Sequence, residues 1–148
     1  MKTKILPIIA LLAAMAGYYF YINNNKVRVI DVHHNGWTAS VIVDRLPYSE
    51  TASIKWWLNN KNTISESYHV NADNPKGTVN YYVYAFGQGY KEEEKEDRLC
   101  FEDMNTAKNC LDKNLLMAVL KNRDGGTEFR FDGAVYTQTP DGKIIHSD

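Results

Sequence analysis

Cysteine, proline and net charge are all scarce in this chain, and each scarcity excludes a class of protein. Two Cys among 148 residues are too few for a small scaffold built from disulfides. Four Pro and nine Gly exclude a collagen-like or low-complexity chain. A net charge of −1 argues against nucleic-acid binding, because neutralising phosphates usually requires a strongly basic domain. We therefore expect a protein that binds no nucleic acid and has one hydrophobic core.

Sequence signatures of common enzymes and metal sites are also missing. The chain has no Gly-x-Ser-x-Gly nucleophile elbow, and Gly87-x-Gly89 lacks the Lys-Ser/Thr of a phosphate-binding loop. The acidic run at residues 91–97 lacks the spaced oxygen ligands and the glycine of a calcium loop. We therefore expect a protein that is not an enzyme and that holds neither a cofactor nor a metal.

The one long apolar run lies at the N-terminus. Residues 5–22 contain no charged side chain, and as a helix they would be about 27 Å long, enough for a bilayer core. Lys2 and Lys4 precede this run, and the positive-inside rule then keeps the N-terminus in the cytoplasm. The pattern predicts a signal anchor over 1–25 and a periplasmic domain over 26–148, in a single-pass protein of the bacterial inner membrane.

A cleaved signal peptide is the alternative interpretation of the same segment. Ala14-Met15-Ala16 fits the small-x-small pattern that precedes a cleavage site. Cleavage there would leave a mature chain that begins with an exposed apolar stretch of no obvious use. The sequence therefore favours the uncleaved anchor, and both alternatives deliver the rest of the chain to the non-cytoplasmic side.

The predicted compartment bears on the two cysteines. Cys100 and Cys110 are ten residues apart, and in an oxidising compartment a disulfide is the expected state. Closing a loop of that size would stabilise the fold by about 3 kcal/mol through loop-closure entropy. Metal ligation and a redox pair are the alternatives. Neither fits well, because the chain has no Cys-x-x-Cys motif and no His near the two cysteines.

The chain after the anchor begins with a predicted hairpin and a helix. Residues 26–33 and 37–44 are rich in β-branched side chains, as strands are, with an Asn-Gly turn between them. Ser49 or Thr51 can then cap a helix, and the polar run at 59–62 predicts where that helix ends.

A central strand and a series of shorter elements are predicted to follow. Residues 78–87 are apolar or aromatic on both faces, so we expect this strand to lie inside a sheet. Further strands are expected at 98–101, 127–131, 134–139 and 143–146, a short helix or irregular segment at 103–114, and a helix or strand at 115–120. The predicted fold class is α+β: a single transmembrane helix, then one small domain with an antiparallel sheet of five to seven strands and one or two helices.

Two histidines are the first candidates for chemistry. His33 and His34 are adjacent on a predicted strand, so they point to opposite faces and cannot easily share one metal. Asp31 and His33 share a face and could form an acid–histidine pair. The simpler interpretation is a polar pair at the surface near the end of a strand.

An adjacent pair of tryptophans suggests a binding surface. Trp57 falls on the apolar helix face with Ile54, whereas Trp56 is turned by about 100° and would lie at the edge of that face or in solvent. An exposed Trp is a candidate hot spot for a protein partner, and Tyr48 and Lys55 would lie nearby. The alternative is that the Trp56 ring packs on a neighbouring strand.

Several segments together resemble a known family. They are the N-terminal apolar run, Ile54-Lys55-Trp56-Trp57, the strand exit Phe86-Gly87-x-Gly89-Tyr90-Lys91, the string Asp97-Arg98-Leu99-Cys100-Phe101-x-Asp103-Met104, and Asn109-Cys110. In these the chain resembles the enterobacterial membrane protein family catalogued as domain of unknown function 943, over nearly its whole length. The resemblance implies a membrane-anchored envelope protein and supplies no reaction and no catalytic residues.

Three functions are compatible with these observations. The first is a protein-binding module held in the periplasm by the 5–22 anchor, for example an immunity protein against a secreted toxin. The second is an accessory role in an envelope complex, in which the anchor itself makes contacts. The alternative from another class is a small periplasmic enzyme with a cryptic site near Asp31 and His33.

Overall fold

A computed structural model describes residues 2–24, 26–72 and 74–147. Two helices and nine strands make up the regular structure of these residues. The helices are α1 (Lys2–Asn24) and α2 (Glu50–Ser67). The strands are β1 (Val29–His34), β2 (Thr38–Val43), β3 (Asn80–Ala85), β4 (Arg98–Cys100), β5 (Cys110–Asp112), β6 (Leu115–Lys121), β7 (Thr127–Phe131), β8 (Ala134–Gln138) and β9 (Ile144–Ser147).

Helix α1 contains the apolar run and confirms the predicted N-terminal helix. By length and composition its segment Lys4–Tyr21 could span a membrane, and it is the one such helix among the described residues. None of this segment is buried against the rest of the protein. Leu6, Leu11 and Phe20 are each more than half exposed, as expected for a helix whose apolar surface faces lipid.

Seven strands form one mostly antiparallel sheet in the order β1-β2-β3-β6-β7-β8-β9. β1 and β2 form the predicted hairpin, and the strand predicted to be central, β3, lies third in the order. β2 and β3 are parallel, which departs from the purely antiparallel expectation. The reason is α2, because this helix carries the chain back to the end of the sheet where β2 began.

Helix α2 starts as predicted but extends further. The Ser49 side chain accepts a hydrogen bond from the backbone N–H of Ala52, so Ser49 rather than Thr51 is the N-cap. The predicted end at 59–62 is wrong, since the helix runs to Ser67. Ile64 is buried and continues the apolar face for another two turns, while Asn59, Lys61 and Asn62 of the polar run are exposed to solvent.

The larger core lies between α2 and one face of the sheet. Trp57 is 2% exposed and its ring lies 4.7 Å from that of Tyr81, centroid to centroid. The other buried members of this core are aliphatic or aromatic side chains, most of them from the helix and the central strands: Val32, Ala39, Val41, Val43, Ile54, Ile64, Val70, Val83, Met117, Val119 and Phe129. This core fixes the position of the helix on the sheet.

A smaller core lies on the opposite face of the sheet. There the β4–β5 hairpin, closed by a disulfide between Cys100 and Cys110, packs Phe101 and Leu111 against Ile42 of β2. The predicted disulfide pair is therefore joined. Residues 103–114, predicted as a short helix or an irregular segment, contain strand β5. Residues 115–120, for which helix and strand were both open, lie in strand β6.

The hairpin covers only part of this opposite face. Its core includes side chains of β1, β2 and β3, whereas Arg130 of β7 and Ile145 of β9 are exposed. All four residues of β9, at one edge of the sheet, are exposed. Strand β1 forms the other edge of the sheet, and there the carboxylate of Asp31 accepts a hydrogen bond from the backbone N–H of Val32.

Candidate functional site

The two ends of the sheet differ in their distance from α1. Only residues 25–28 separate the last residue of α1 from Val29, the first residue of β1. Val29 pairs with Val43, the last residue of β2. We call this the anchor end of the sheet. The opposite end, which holds the turn between β1 and β2, is the distal end.

The buried His33 lies at the centre of a polar network whose two carboxylates are partly exposed to solvent. Its Nδ1 is 2.7 and 3.0 Å from the two carboxylate oxygens of Asp103, and its Nε2 is 3.0 Å from the hydroxyl of Tyr90. Nε2 is also 3.4 Å from the carboxylate of Asp31. The ring stacks on Phe101 at 3.8 Å between centroids, and His33 is 7% exposed. The expected surface pair of Asp31 and His33 is thus wrong in its exposure, because the hairpin covers His33.

The network holds the hairpin to the sheet. The Tyr90 hydroxyl donates to Asp31, and burial followed by the charge of Asp31 raises the pKa of Tyr90 above its ordinary value. Tyr90 is therefore a protonated phenol at neutral pH. Both ring nitrogens of His33 have partners, one on the hairpin and one on the segment that leads to it. These contacts join β1 to two segments that are distant from it in sequence.

A shallow polar groove lies between the hairpin and the distal half of β1 and β2. Its volume is about 280 Å³. Its walls are formed by His33, His34, Asn35, Thr38 and Ser40 on the sheet side and by residues 99–103 on the hairpin side. His34 Nε2 donates to the backbone carbonyl of Tyr68, away from the partners of His33. Among the described residues no group of three or more His, Cys, Asp or Glu side chains could hold a metal ion.

Trp37 stands at the distal end beside this groove. Its side chain is 68% exposed, while its chain neighbours Asn35 and Thr38 line the groove. The backbone of this turn is firmly held. Asn35 Oδ1 accepts from the N–H groups of Trp37 and Thr38, Asn80 N–H donates to the Trp37 carbonyl, and the Asn74 side chain donates to the Gly36 carbonyl.

Sequence reasoning missed Trp37 as a candidate binding residue. It placed Trp37 in the second strand, but β2 begins one residue later, at Thr38. The available signal was the preceding Asn-Gly turn, because a large aromatic residue directly after a tight turn has few neighbours to bury it.

The three predicted partner-binding residues are not brought together with Trp37. Trp56 is half-buried and packs against the larger core next to Trp57, and Lys55 is exposed on α2. Tyr48 is 78% exposed and lies at the anchor end, where it lines a groove that includes neither Trp56 nor Lys55.

Charge is concentrated in the hairpin and the segment before it. Residues 91–103 hold seven carboxylates and three cations, a net charge of −4 in a chain of net −1. Arg98 organises part of this charge through Glu94, Glu96 and Asp112. The carboxylates outnumber the cations more than twofold, so this side of the groove presents a negative surface.

These features define a class: a small α+β domain behind an apolar N-terminal helix, with a braced, exposed aromatic and an acidic hairpin at the end of the sheet remote from that helix. The chain belongs to the family described as "Enterobacterial putative membrane protein (DUF943)", whose profile covers residues 1–148. This confirms the resemblance found in the sequence. No curated protein and no solved structure matches the chain.

Proposed function

We propose that this protein is a membrane-anchored binding module of the bacterial envelope, which holds a protein partner at the distal end of its sheet. In this proposal α1 stays in the inner membrane as an uncleaved anchor and the sheet domain lies in the periplasm. The family's description and the apolar α1 support the membrane location. The binding role depends on the surface around Trp37.

Trp37 is the observation that carries the proposal. A Trp side chain that is 68% exposed leaves a large apolar area in water, and such residues dominate the energetics of many protein interfaces. Its turn is already fixed by hydrogen bonds that Asn35 accepts and that Asn74 and Asn80 donate. Binding therefore has little backbone left to order, which lowers the entropic cost of association.

The acidic hairpin indicates the chemistry of the partner. The net charge of −4 over residues 91–103 favours a basic protein surface and speeds its encounter with the domain. The matching partner presents an apolar pocket for Trp37 next to Lys and Arg side chains. A secreted toxin that is captured in the envelope is one partner of this kind, and the protein would then act as its immunity protein.

The geometry around His33 favours binding over the enzymatic alternative near Asp31 and His33. A general base needs a basic atom that a substrate can reach. Both ring nitrogens of His33 are engaged by Asp103 and Tyr90, and the ring is 7% exposed. Tyr90 has a raised pKa, the opposite of what an activated phenolate requires.

Site-specific photo-cross-linking in living cells tests the proposal. A photoreactive phenylalanine analogue replaces Trp37 in the full-length protein, and the matched control carries it at Tyr48, the exposed aromatic position at the other end of the sheet. We expect one dominant light-dependent protein adduct from position 37 and not from position 48. Mass spectrometry identifies the adduct, and charge reversal at Glu102 and Glu93 should weaken it. No adduct at position 37, or the same adducts at both positions, would contradict the proposal.

A further inference from the structure

At the anchor end of the sheet, half-buried apolar side chains surround one exposed tyrosine. One groove of about 320 Å³ is lined by side chains from the segment after β2 and from β6 and β7, which include Leu46, Pro47, Tyr48, Leu116 and Phe131. We name these five residues the anchor-end patch. Tyr48 has the largest exposed fraction of any large apolar side chain among the described residues. Leu115, next to the patch, is 47% exposed.

Chain connectivity places this patch close to any membrane that α1 enters. Five Cα steps connect Asn24, at the end of α1, to Val29, at the start of β1, and they can span at most about 18 Å. Val29 pairs with Val43, and Leu46–Tyr48 follow three residues later. The patch therefore lies at the end of the sheet that the short connection holds near α1.

The charges beside the patch match an anionic lipid surface. Lys26 and Arg28 are both exposed in the connection between α1 and β1. Two carboxylates lie nearby: Asp44 accepts hydrogen bonds from the backbone N–H groups of Arg28 and Arg45, and Glu50, which lines the groove, accepts one from the hydroxyl of Tyr136. Basic side chains next to an exposed tyrosine are the combination that favours the headgroup region of a bilayer.

We propose that the anchor-end patch rests on the headgroup layer of the leaflet from which α1 emerges. Tyr48 inserts at the interface, with its ring toward the acyl chains and its hydroxyl toward water. Lys26 and Arg28 contact lipid phosphates. The inference depends on the retained anchor of the proposed function and not on its protein partner. Its consequence is a fixed orientation, in which the sheet stands on the membrane and the distal end points away from it.

The distal end supplies the internal control. β2 has six residues, so Trp37 and Tyr48 are separated by the length of a strand, about 20 Å. Both are exposed aromatic residues, at 68% and 78%. A probe at position 48 should report lipid contact, whereas the same probe at position 37 should report water.

The experiment uses the full-length protein in nanodiscs of phosphatidylglycerol and phosphatidylethanolamine. An environment-sensitive fluorescent amino acid replaces Tyr48, or Trp37 in the matched control. We expect a blue-shifted emission at position 48 that is quenched several-fold more by lipids brominated near the headgroup than at position 37. Substituting both Lys26→Gln and Arg28→Gln, or using nanodiscs of phosphatidylcholine alone, should reduce this quenching. A second probe site at Leu115 repeats the test if the label at position 48 disturbs the fold.

Three outcomes would overturn the inference. Equal quenching at positions 48 and 37 would mean that the patch is in water. A blue shift at position 48 without quenching by brominated lipid, appearing only when two copies share one disc, would assign the patch to a second copy of the chain. If the quenching at position 48 were the same with the Gln variants and in nanodiscs of phosphatidylcholine, Lys26 and Arg28 would not be contacting lipid phosphates. The intact mass of the purified protein shows separately whether the chain has been cleaved after Ala16, so a failure of the anchor is distinguished from a failure of docking.

Discussion

The two faces of the sheet are stabilised by different means. The face under α2 is built mainly from apolar side chains, with Trp57 and Phe129 buried among aliphatic neighbours, and the buried Ser53 hydroxyl there donates to the backbone carbonyls of Pro47 and Ser49. The opposite face is covered by a short hairpin with a much smaller apolar core, to which the Cys100–Cys110 disulfide and the His33 network are added. A layer whose apolar core is too small to hold it by burial alone is here also held by a covalent bond and by the hydrogen bonds of the buried His33.

The largest expected effect is on the α2 face. Trp57→Ala removes the largest buried side chain of that core and should lower the free energy of unfolding by about 3–5 kcal/mol. Urea unfolding of the full-length protein in detergent, followed by circular dichroism, measures this loss. Trp56→Ala is the matched control, and it should cost clearly less because Trp56 is half-buried. Equal losses from the two variants would contradict the assignment of Trp57 to the core.

The next largest loss of stability is expected on removing the disulfide. Replacing both Cys100 and Cys110 by Ser removes a ten-residue cross-link and should cost about 3 kcal/mol. The loss should be local, since the larger core keeps its contacts. Hydrogen exchange should therefore speed up over residues 90–112 and much less in β6 and β7. Uniformly faster exchange would mean that the two faces do not differ in the way we infer.

The His33 network should have a smaller effect. His33→Ala removes the hydrogen bonds of the ring to Asp103 and Tyr90 and its stacking on Phe101, which should cost about 2 kcal/mol. His34→Ala, which removes one hydrogen bond to the Tyr68 carbonyl, should cost about 1 kcal/mol. Urea unfolding of both variants gives the two values. A neutral His33→Ala variant would show that the network does not hold the hairpin.

The smallest effect concerns the rim of the hairpin in acid. The hydrogen bond from Lys91, and then that from Arg98, lowers the pKa of Asp112 below its ordinary value of 3.8. A carboxyl with a lowered pKa stabilises the fold above its ordinary pKa, and this contribution is lost as the pH falls through the folded-state value. Asp112→Asn should therefore reduce stability slightly at neutral pH and change nothing well below pH 3. Melting temperatures of the variant and the unchanged protein, measured from neutral pH to below pH 3, show whether the difference in stability disappears in acid as expected.

The sequence predicts the elements better than it predicts the site. The strands around Val41 and Val83 and the start of α2 at Ser49 follow from local patterns, namely β-branched runs and a capping residue. The end of α2 was missed because Ile64, beyond the polar run, continues its buried face. That contact is set by tertiary packing rather than by the local sequence.

The partners of His33 could not be read from a single sequence. Tyr90 and Asp103 lie 57 and 70 residues away from it. They reach it only because the hairpin folds back over β1, and no periodicity records such a long-range contact. The disulfide was predictable because it needs only two cysteines and an oxidising compartment.

The exposed strand β9 has a consequence for handling the protein. Its outer backbone N–H and C=O groups form an open sheet edge, flanked by Ile144 and Ile145, which are 42% and 45% exposed. Such an edge can pair with a strand from another molecule, and Lys143 and the four-residue length of β9 limit this pairing. Concentrated samples should therefore associate first through β9, and a second charged residue in place of Ile145 should keep them monodisperse.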